Sequence, residues 1–275
     1  MKTFLITGAS GAMGSAAVRK LAGEGHTVWM ACRNLQKGEM IRRQILRDYP
    51  EATLYLKALD LSSFDSVKSF ASELKEEGVK LDGLFNNAGT MNRYFTKSRN
   101  GIETTWQVNF LSPCLLTRLL LPILSSDAHV DNMVSLSAHY ARLTKNFPLS
   151  DEKGFTQLGG YAQSKLALLL YTLELSRRVP QYVNMSDPWI VNTPIIHLDR
   201  WFDPLADLFF RPVCYSPEKG VRPALRALFS DVRGKYFVGN SIRDYEPKYS
   251  KRYDLQDVFA QVETFLMTIA PLEAL

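Results

Sequence analysis

The sequence predicts an α/β fold, a doubly wound parallel sheet with helices on both faces, folded as a single domain over residues 1–275. Three observations carry that expectation. A short apolar run, Phe4-Leu5-Ile6, enters the glycine-punctuated turn Thr7–Gly14 without a polar spacer. Behind it, strand-like and helix-like segments alternate, and right-handed βαβ crossovers turn such alternation into a parallel sheet covered on both faces. Finally, Arg33, Asp60 and Asn87 interrupt the apolar pattern at the carboxyl ends of strands, where sheets of this kind bind ligands.

The first turn leads into a helix that starts near Ala12. A helix amino terminus carries unpaired N–H groups and a partial positive charge, so Gly8, Ser10, Gly11, Ala12, Met13 and Gly14 are candidates to cradle a dinucleotide pyrophosphate. Gly8 permits the turn, and Gly11 and Gly14 allow close backbone approach. An ordinary strand-to-helix turn would read the same way. Ala16, Ala17, Val18, Leu21 and Ala22 then repeat at helical spacing up to Gly23 and Gly25. Thr27–Cys32 reads as a buried second strand, ending in Arg33-Asn34 rather than in an acidic residue. A guanidinium pairs with a 2′-phosphate where a carboxylate would bind a ribose hydroxyl, so Arg33 and Asn34 favour NADPH or NADP+ over NAD. Otherwise Arg33 simply opens the exposed helix Leu35–Tyr49.

Thr53–Leu59 is a third strand, followed by Asp60-Leu61 and by Ser62 as the expected N-cap of a helix whose apolar face is Phe64, Val67, Phe70, Ala71 and Leu74. Asp60 either meets an adenine edge or closes the turn. A fourth strand, Leu81–Phe85, ends in Asn86-Asn87-Ala88-Gly89. The stretch Glu103–Leu124 reads as one long, largely buried helix with Asn109 as its odd member. A polar amide among Val108, Phe110 and Leu111 costs free energy unless partnered, so Asn109 makes a structural hydrogen bond or organises a site. Asn132–Ser137 reads as a fifth strand, and Tyr161–Arg178 as a helix that puts Tyr161 and Lys165 one turn apart on one face. Further on, Lys219–Ser230 is an expected helix, Lys235–Val238 a last strand and Asp254–Ala270 a terminal helix.

Composition narrows the partners. Apolar residues make up 46% and charged residues 22%, which excludes an extended disordered character, and the net charge of +5 is scattered rather than blocked. That favours small anionic ligands over nucleic acid. Three widely spaced cysteines, Cys32, Cys114 and Cys214, indicate neither a disulfide framework nor a metal site, and the four histidines show no ligand spacing. No apolar run approaches the ~20 residues that span a bilayer. With no leader-like segment before the first strand, a cytoplasmic protein is expected.

Taken together, TGASGAMG at Thr7–Gly14, ACRN at Ala31–Asn34, Asp60-Leu61, NNAG at Asn86–Gly89, Val108-Asn109 and YAQSK at Tyr161–Lys165 resemble the short-chain dehydrogenases/reductases, and among them the retinol-dehydrogenase-like members. The resemblance implies a Rossmann-type fold and an NADP(H)-dependent transfer of hydride between nicotinamide and a carbonyl or alcohol. It implies cofactor contacts from Asp60, Leu61, Asn87, Ala88, Gly89, Tyr161, Lys165, Pro188, Trp189, Val191 and Thr193. Tyr161 would be the acid/base, its phenol acidified by Lys165, with Asn109 supporting a relay to Lys165 and a serine positioning the substrate oxygen. Ser137 is the expected catalytic serine; a register shifted by one residue puts Ala138 in that slot and removes a hydrogen bond.

Three more departures stand beside that one: Ala12 where the family has a middle glycine, Asp187-Pro188-Trp189 where it reads Pro-Gly, and a short link from Arg178 to Tyr182. They keep open a second reading, a catalytically impaired nucleotide-binding sensor or scaffold of the same fold. Residues 194–217 hold the segment that forms a substrate lid in the family, and Ile195, Ile196, Leu198, Trp201, Phe202 and Phe209 make it apolar enough to imply a lipophilic substrate. A subunit contact or a membrane-surface patch accounts for the same composition. Pairing through the late helices implies a homodimer or homotetramer.

Overall fold

A computed structural model describes residues 1–143, 152–191, 214–273 and 275. Eight strands form one sheet: β1 Thr3–Thr7, β2 Thr27–Cys32, β3 Leu54–Ala58, β4 Leu81–Asn86, β5 Leu124–Met133, β6 Tyr182–Asp187, β7 Tyr236–Val238 and β8 Ser241–Arg243. Their spatial order is β3-β2-β1-β4-β5-β6-β7-β8. β1 to β7 run parallel, and only β8, a hairpin return on β7, is antiparallel. Strand order reverses between β1 and β4, so the ligand crevice of such a sheet lies at the carboxyl ends of these two strands.

Among the described residues the helices are α1 Ala12–Gly23, α2 Leu35–Asp48, α3 Phe64–Glu76, α4 Thr104–Trp106, α5 Ser112–Leu120, α6 Gln157–Arg178, α7 Pro217–Gly220, α8 Arg222–Ala227, α9 Glu246–Tyr249 and α10 Leu255–Ile269. The period-two alternation of β1 divides them into two layers. Leu5 packs with residues of α3, α5, α6 and α10, whereas Phe4 and Ile6 pack with residues of α1, α2 and α8. Each fully buried Leu or Phe in these layers contributes about 2 kcal/mol from removal of apolar surface from water.

Several element boundaries differ from expectation for identifiable reasons. The stretch predicted as one helix from Glu103 is α4, a π-helical turn Gln107–Leu111, α5 and a 3₁₀ turn Leu121–Ile123. Glu103 caps it by accepting the N–H groups of Thr105 and Trp106, each at 2.9 Å. Ser63, not Ser62, caps α3, because the Ser62 N–H and hydroxyl are both drawn to Asp60. The fifth strand starts at Leu124 and ends at Met133, with the 3₁₀ turn Leu136–Tyr140 following where strand was expected. Pro223 lacks an N–H to continue a helix, and the stretch from 217 divides into α7 and α8. Thr193 and all of the apolar segment up to residue 213 lie outside the described residues.

Candidate active site

The first turn needs its glycines at two positions. Gly8 has φ +65°, and a Cβ there would sit 2.9 Å from the Ala88 Cα. At Gly14 a Cβ would overlap the Gly8 carbonyl oxygen, so α1 packs directly on the turn. The Thr7 hydroxyl accepts the N–H groups of Asn87 and Ala88, both at 3.0 Å, and the Asn87 amide donates to the Thr7 carbonyl at 2.7 Å. β1 and β4 are thereby tied together across the crevice. Asn87 is engaged in holding the turn. Gly11 caps α1 with no side-chain hydrogen bond, which leaves the first-turn N–H groups at Ala12, Met13 and Gly14 without a side-chain acceptor. An anion fits such a cradle, and no Cβ obstructs it at Gly8, Gly11 or Gly14.

Around the turn, the expected residues take distinct places. Ser10 hydrogen-bonds the buried Cys32 thiol. Arg33 is exposed, and Asn34 caps α2 by accepting the Lys37 N–H at 2.9 Å. Asp60 Oδ1 accepts the Ser62 N–H at 3.0 Å and hydroxyl at 2.7 Å, so its carboxylate closes the turn after β3. Leu61 is buried in the core beside α3.

The second cluster surrounds α6, which is capped by Thr156 and carries Tyr161 and Lys165 on one face. Lys165 Nζ donates to the Met133 carbonyl at 2.7 Å and lies 5.9 Å from the Tyr161 ring centroid. Asn109 sits in the π-helical turn, a form often found where a helix serves a site. Its amide accepts the Thr90 N–H at 2.8 Å, donates to the Thr90 carbonyl at 2.9 Å and reaches the Ser164 hydroxyl at 3.1 Å. A Cβ at Gly89 would lie 3.3 Å from the Asn109 carbonyl oxygen and 3.6 Å from Lys165 Nζ, so these three residues converge.

A second serine lies beside the one expected. The Ser135 hydroxyl lowers the proton affinity of the Tyr161 phenol, and Ser137 donates its hydroxyl to Ser135 at 3.1 Å. Ala138 is fully buried in the core and approaches no site. Ser135 therefore stands beside Ser137 as a candidate for the serine that positions a substrate oxygen. The earlier end of β5 places it there, because the chain leaves the sheet at Met133 and Ser135 caps the following 3₁₀ turn. The clue in the sequence was the pair Met133-Val134, after which Ser135 is the first polar residue.

Electrostatics also depart from expectation. Burial pushes the Tyr161 phenol up to about 12, with Ser135 pulling it down and Asp187 adding to the rise. Burial pushes the Lys165 ammonium down to about 8, with Asp187 opposing that fall. In the protein alone the phenol is not acidified by its lysine neighbour.

The profile of the short chain dehydrogenases matches residues 2–200. The chain belongs to the short-chain dehydrogenase family. Retinol dehydrogenase 14 of Mus musculus is 35% identical over 268 residues, covering 90% of this chain and 80% of the relative. Retinol dehydrogenase 13 of Homo sapiens is 33% identical over 253 residues, covering 86% and 76%. Among solved structures, an uncharacterized protein from Mycobacterium paratuberculosis superposes with a TM-score of 0.73 at 25% identity, covering 99% of this chain and 94% of that one. A short-chain dehydrogenase from Escherichia coli CFT073 complexed with NADPH shares the fold, with a TM-score of 0.68 at 22% identity and coverage of 87% and 97%.

One feature sets this short-chain dehydrogenase apart from the family's pattern. Trp189 stands where a glycine is usual, and it takes φ +64°, a left-handed conformation that explains the usual glycine. Asp187 supports it by accepting the Trp189 N–H at 2.8 Å across Pro188. The indole is 46% exposed, so it does not plug the dehydrogenase's interior. Val191 is buried and bridges to Tyr215. No group of side chains among the described residues could hold a metal ion, and no described helix is long and apolar enough to cross a membrane.

Proposed function

We propose that this chain is an NADP(H)-dependent oxidoreductase that interconverts a lipophilic carbonyl and its alcohol, with Tyr161 as the acid/base. The observation that carries the reading is the assembly of Ser135, Tyr161, Lys165 and Asn109 beside the strand-end crevice. Gly8, Gly11, Gly14 and the first-turn N–H groups of α1 would hold the pyrophosphate of a dinucleotide, which when bound supplies the hydride. Arg33 would meet a 2′-phosphate, and the NADPH-bound relative of the same fold is in keeping with that choice.

The chain's own residues then account for the proton. A phenol held protonated well above neutral pH is suited to donate, so in carbonyl reduction Tyr161 gives its proton to the substrate oxygen. Ser135, already hydrogen-bonded to that phenol, orients the same oxygen. Lys165 and Asn109 hold the floor of the site through Met133, Thr90 and Ser164. The apolar composition of residues 194–213 and the retinol dehydrogenases among the relatives support a lipophilic substrate such as a retinoid, steroid or long-chain aldehyde. Should Ser135 supply the substrate-positioning hydroxyl, the turnover-deficient scaffold would rest on Ala12 and Trp189 alone.

The test is NADPH consumption against a panel of lipophilic aldehydes and ketones. Turnover by the native protein is expected, with Tyr161→Phe binding NADPH normally and losing at least about 10²-fold in kcat. Full activity in that variant would refute the acid/base assignment. Arg33→Ala should raise KM for NADPH and leave KM for NADH nearly unchanged; equal effects on both would refute the phosphate contact.

A further inference from the structure

One buried carboxylate outside the four residues named above faces the same pair. Asp187 ends β6 and is 1% exposed. Its direction follows from strand alternation: Ser186 turns to the opposite face, where its hydroxyl donates to Asp131 at 2.6 Å, so Asp187 points to the α6 face. Register brings it next to the lysine, because Met133, whose carbonyl holds Lys165 Nζ, pairs with Ser186. Two donors fix the carboxylate. The Tyr236 hydroxyl donates to Oδ2 at 2.6 Å, and the Trp189 N–H donates to Oδ1 at 2.8 Å.

We propose that Asp187, clamped by Tyr236, is a positioning residue for the Tyr161–Lys165 pair: a fixed negative charge that keeps the lysine ammonium charged in a dry interior and holds the phenol protonated. The inference rests on the acid/base reading of that pair. An asparagine or serine would serve the turn at Trp189 equally well, so the turn alone does not call for a charge. Burying an unpaired carboxylate costs several kcal/mol. Burial pushes the Asp187 carboxyl up; the Tyr236 hydroxyl and the Trp189 N–H offset part of that rise, and Lys165 is the cation that adds to the offset. In return, Asp187 opposes the loss of the Lys165 proton and disfavours the Tyr161 phenolate.

The remaining groups on this side do not replace it. Tyr236 of β7 is itself pushed upward by burial and by Asp187, and stays neutral. His139 of the 3₁₀ turn lies 5.1 Å from the Tyr236 ring and is held neutral, its proton affinity lowered by burial and by Lys248 and Arg243. Tyr245, 4.9 Å from Tyr236, and Tyr249, bonded to His139, close the cluster.

Asp187→Asn keeps the shape and one acceptor oxygen, for the Trp189 N–H, while deleting the charge; its NH2 group can donate to the Tyr236 hydroxyl in place of the bond now accepted from it. Two readouts apply to the full chain: titration of Lys165 by NMR of ¹³Cε-labelled lysine, assigned with Lys165→Met, and the pH profile of kcat/KM for alcohol oxidation. Removing a negative charge lowers both proton affinities, so the Lys165 titration and the rising limb of oxidation should both move down by about one unit. Asp187→Glu should restore at least half of the shift. Tyr236→Phe, which weakens the clamp and makes Asp187 easier to neutralise, should give a smaller shift of the same sign, and it carries the test if Asp187→Asn does not fold. A Lys165 titration that stays put or rises in these variants overturns the inference even if turnover persists. If Lys165 shifts as expected while no alcohol or carbonyl is turned over, the counter-charge stands and the oxidoreductase reading falls.

Discussion

At the scale of single residues, two side chains decide how the site works. Ser135 and Ser137 are hydrogen-bonded to one another, yet only Ser135 reaches the phenol. Ser135→Ala should therefore lower kcat about 10²-fold, the usual loss for a donor aimed at a reacting oxygen, while Ser137→Ala stays within a few-fold. Steady-state kinetics on the two variants checks this, and the reverse order would return the role to Ser137. Trp189 carries a different liability. An L-residue in the left-handed region costs about 1 kcal/mol that glycine avoids, so Trp189→Gly should leave stability unchanged or raise it, against the flexibility glycine adds to the unfolded chain. Denaturant unfolding shows which term dominates, and a stability loss beyond about 1.4 kcal/mol, one RT ln 10 step, would mean that the indole packs more than its exposure implies.

At the scale of elements, β1, β2, α1, α3 and β4 were legible because their apolar residues follow the period of the element that buries them. β5 was not. His129, Asp131 and Asn132 are buried polar residues within it, so hydropathy conceals a strand that hydrogen bonding sustains through Asn86, Thr172 and Ser186. That concealment displaced the expected strand end and left Ser135 out of the expected site. The break in the helix around Asn109 was equally hidden, since the Thr90 contacts that hold the π-helical turn come from 19 residues away. Tyr161, Lys165 and the glycine turn were legible because short-range spacing alone defines them. The 3₁₀ turn after β5 also bears a pH dependence. His139 donates to or accepts from the Tyr249 hydroxyl at 2.6 Å, and burial lowers its proton affinity from 6.5 to about 4. Between those values the unfolded chain takes up a proton that the folded chain refuses, so stability falls as pH drops from 6.5 towards 4 by on the order of 2 kcal/mol, and nothing is lost above 6.5. Melting curves across that window should show the loss, and His139→Gln should flatten it.

At the scale of the whole molecule, α10 closes the layer formed by α3, α5 and α6. Leu255, Val258, Phe259, Val262 and Leu266 face inward, and Gln256, Asp257, Gln261 and Thr264 face out. Glu263 locks it by accepting from Arg118 at 2.8 Å and Tyr171 at 2.7 Å, and Arg118 also donates to the Glu273 carbonyl. Glu263→Ala strands a buried guanidinium, so it should cost about 3–5 kcal/mol, with Glu263→Gln milder. Thermal melting of the two variants tests this, and equal small losses would show that water reaches Arg118.

The position of α10 in the chain has a consequence for biosynthesis. The leucine-rich surface of α6 is complete once residue 178 has been translated, but the helix that covers it begins only at Leu255, much later in the chain. Until then a nascent chain carries an uncovered apolar face, and a chain cut short before residue 255 keeps that aggregation hazard for good.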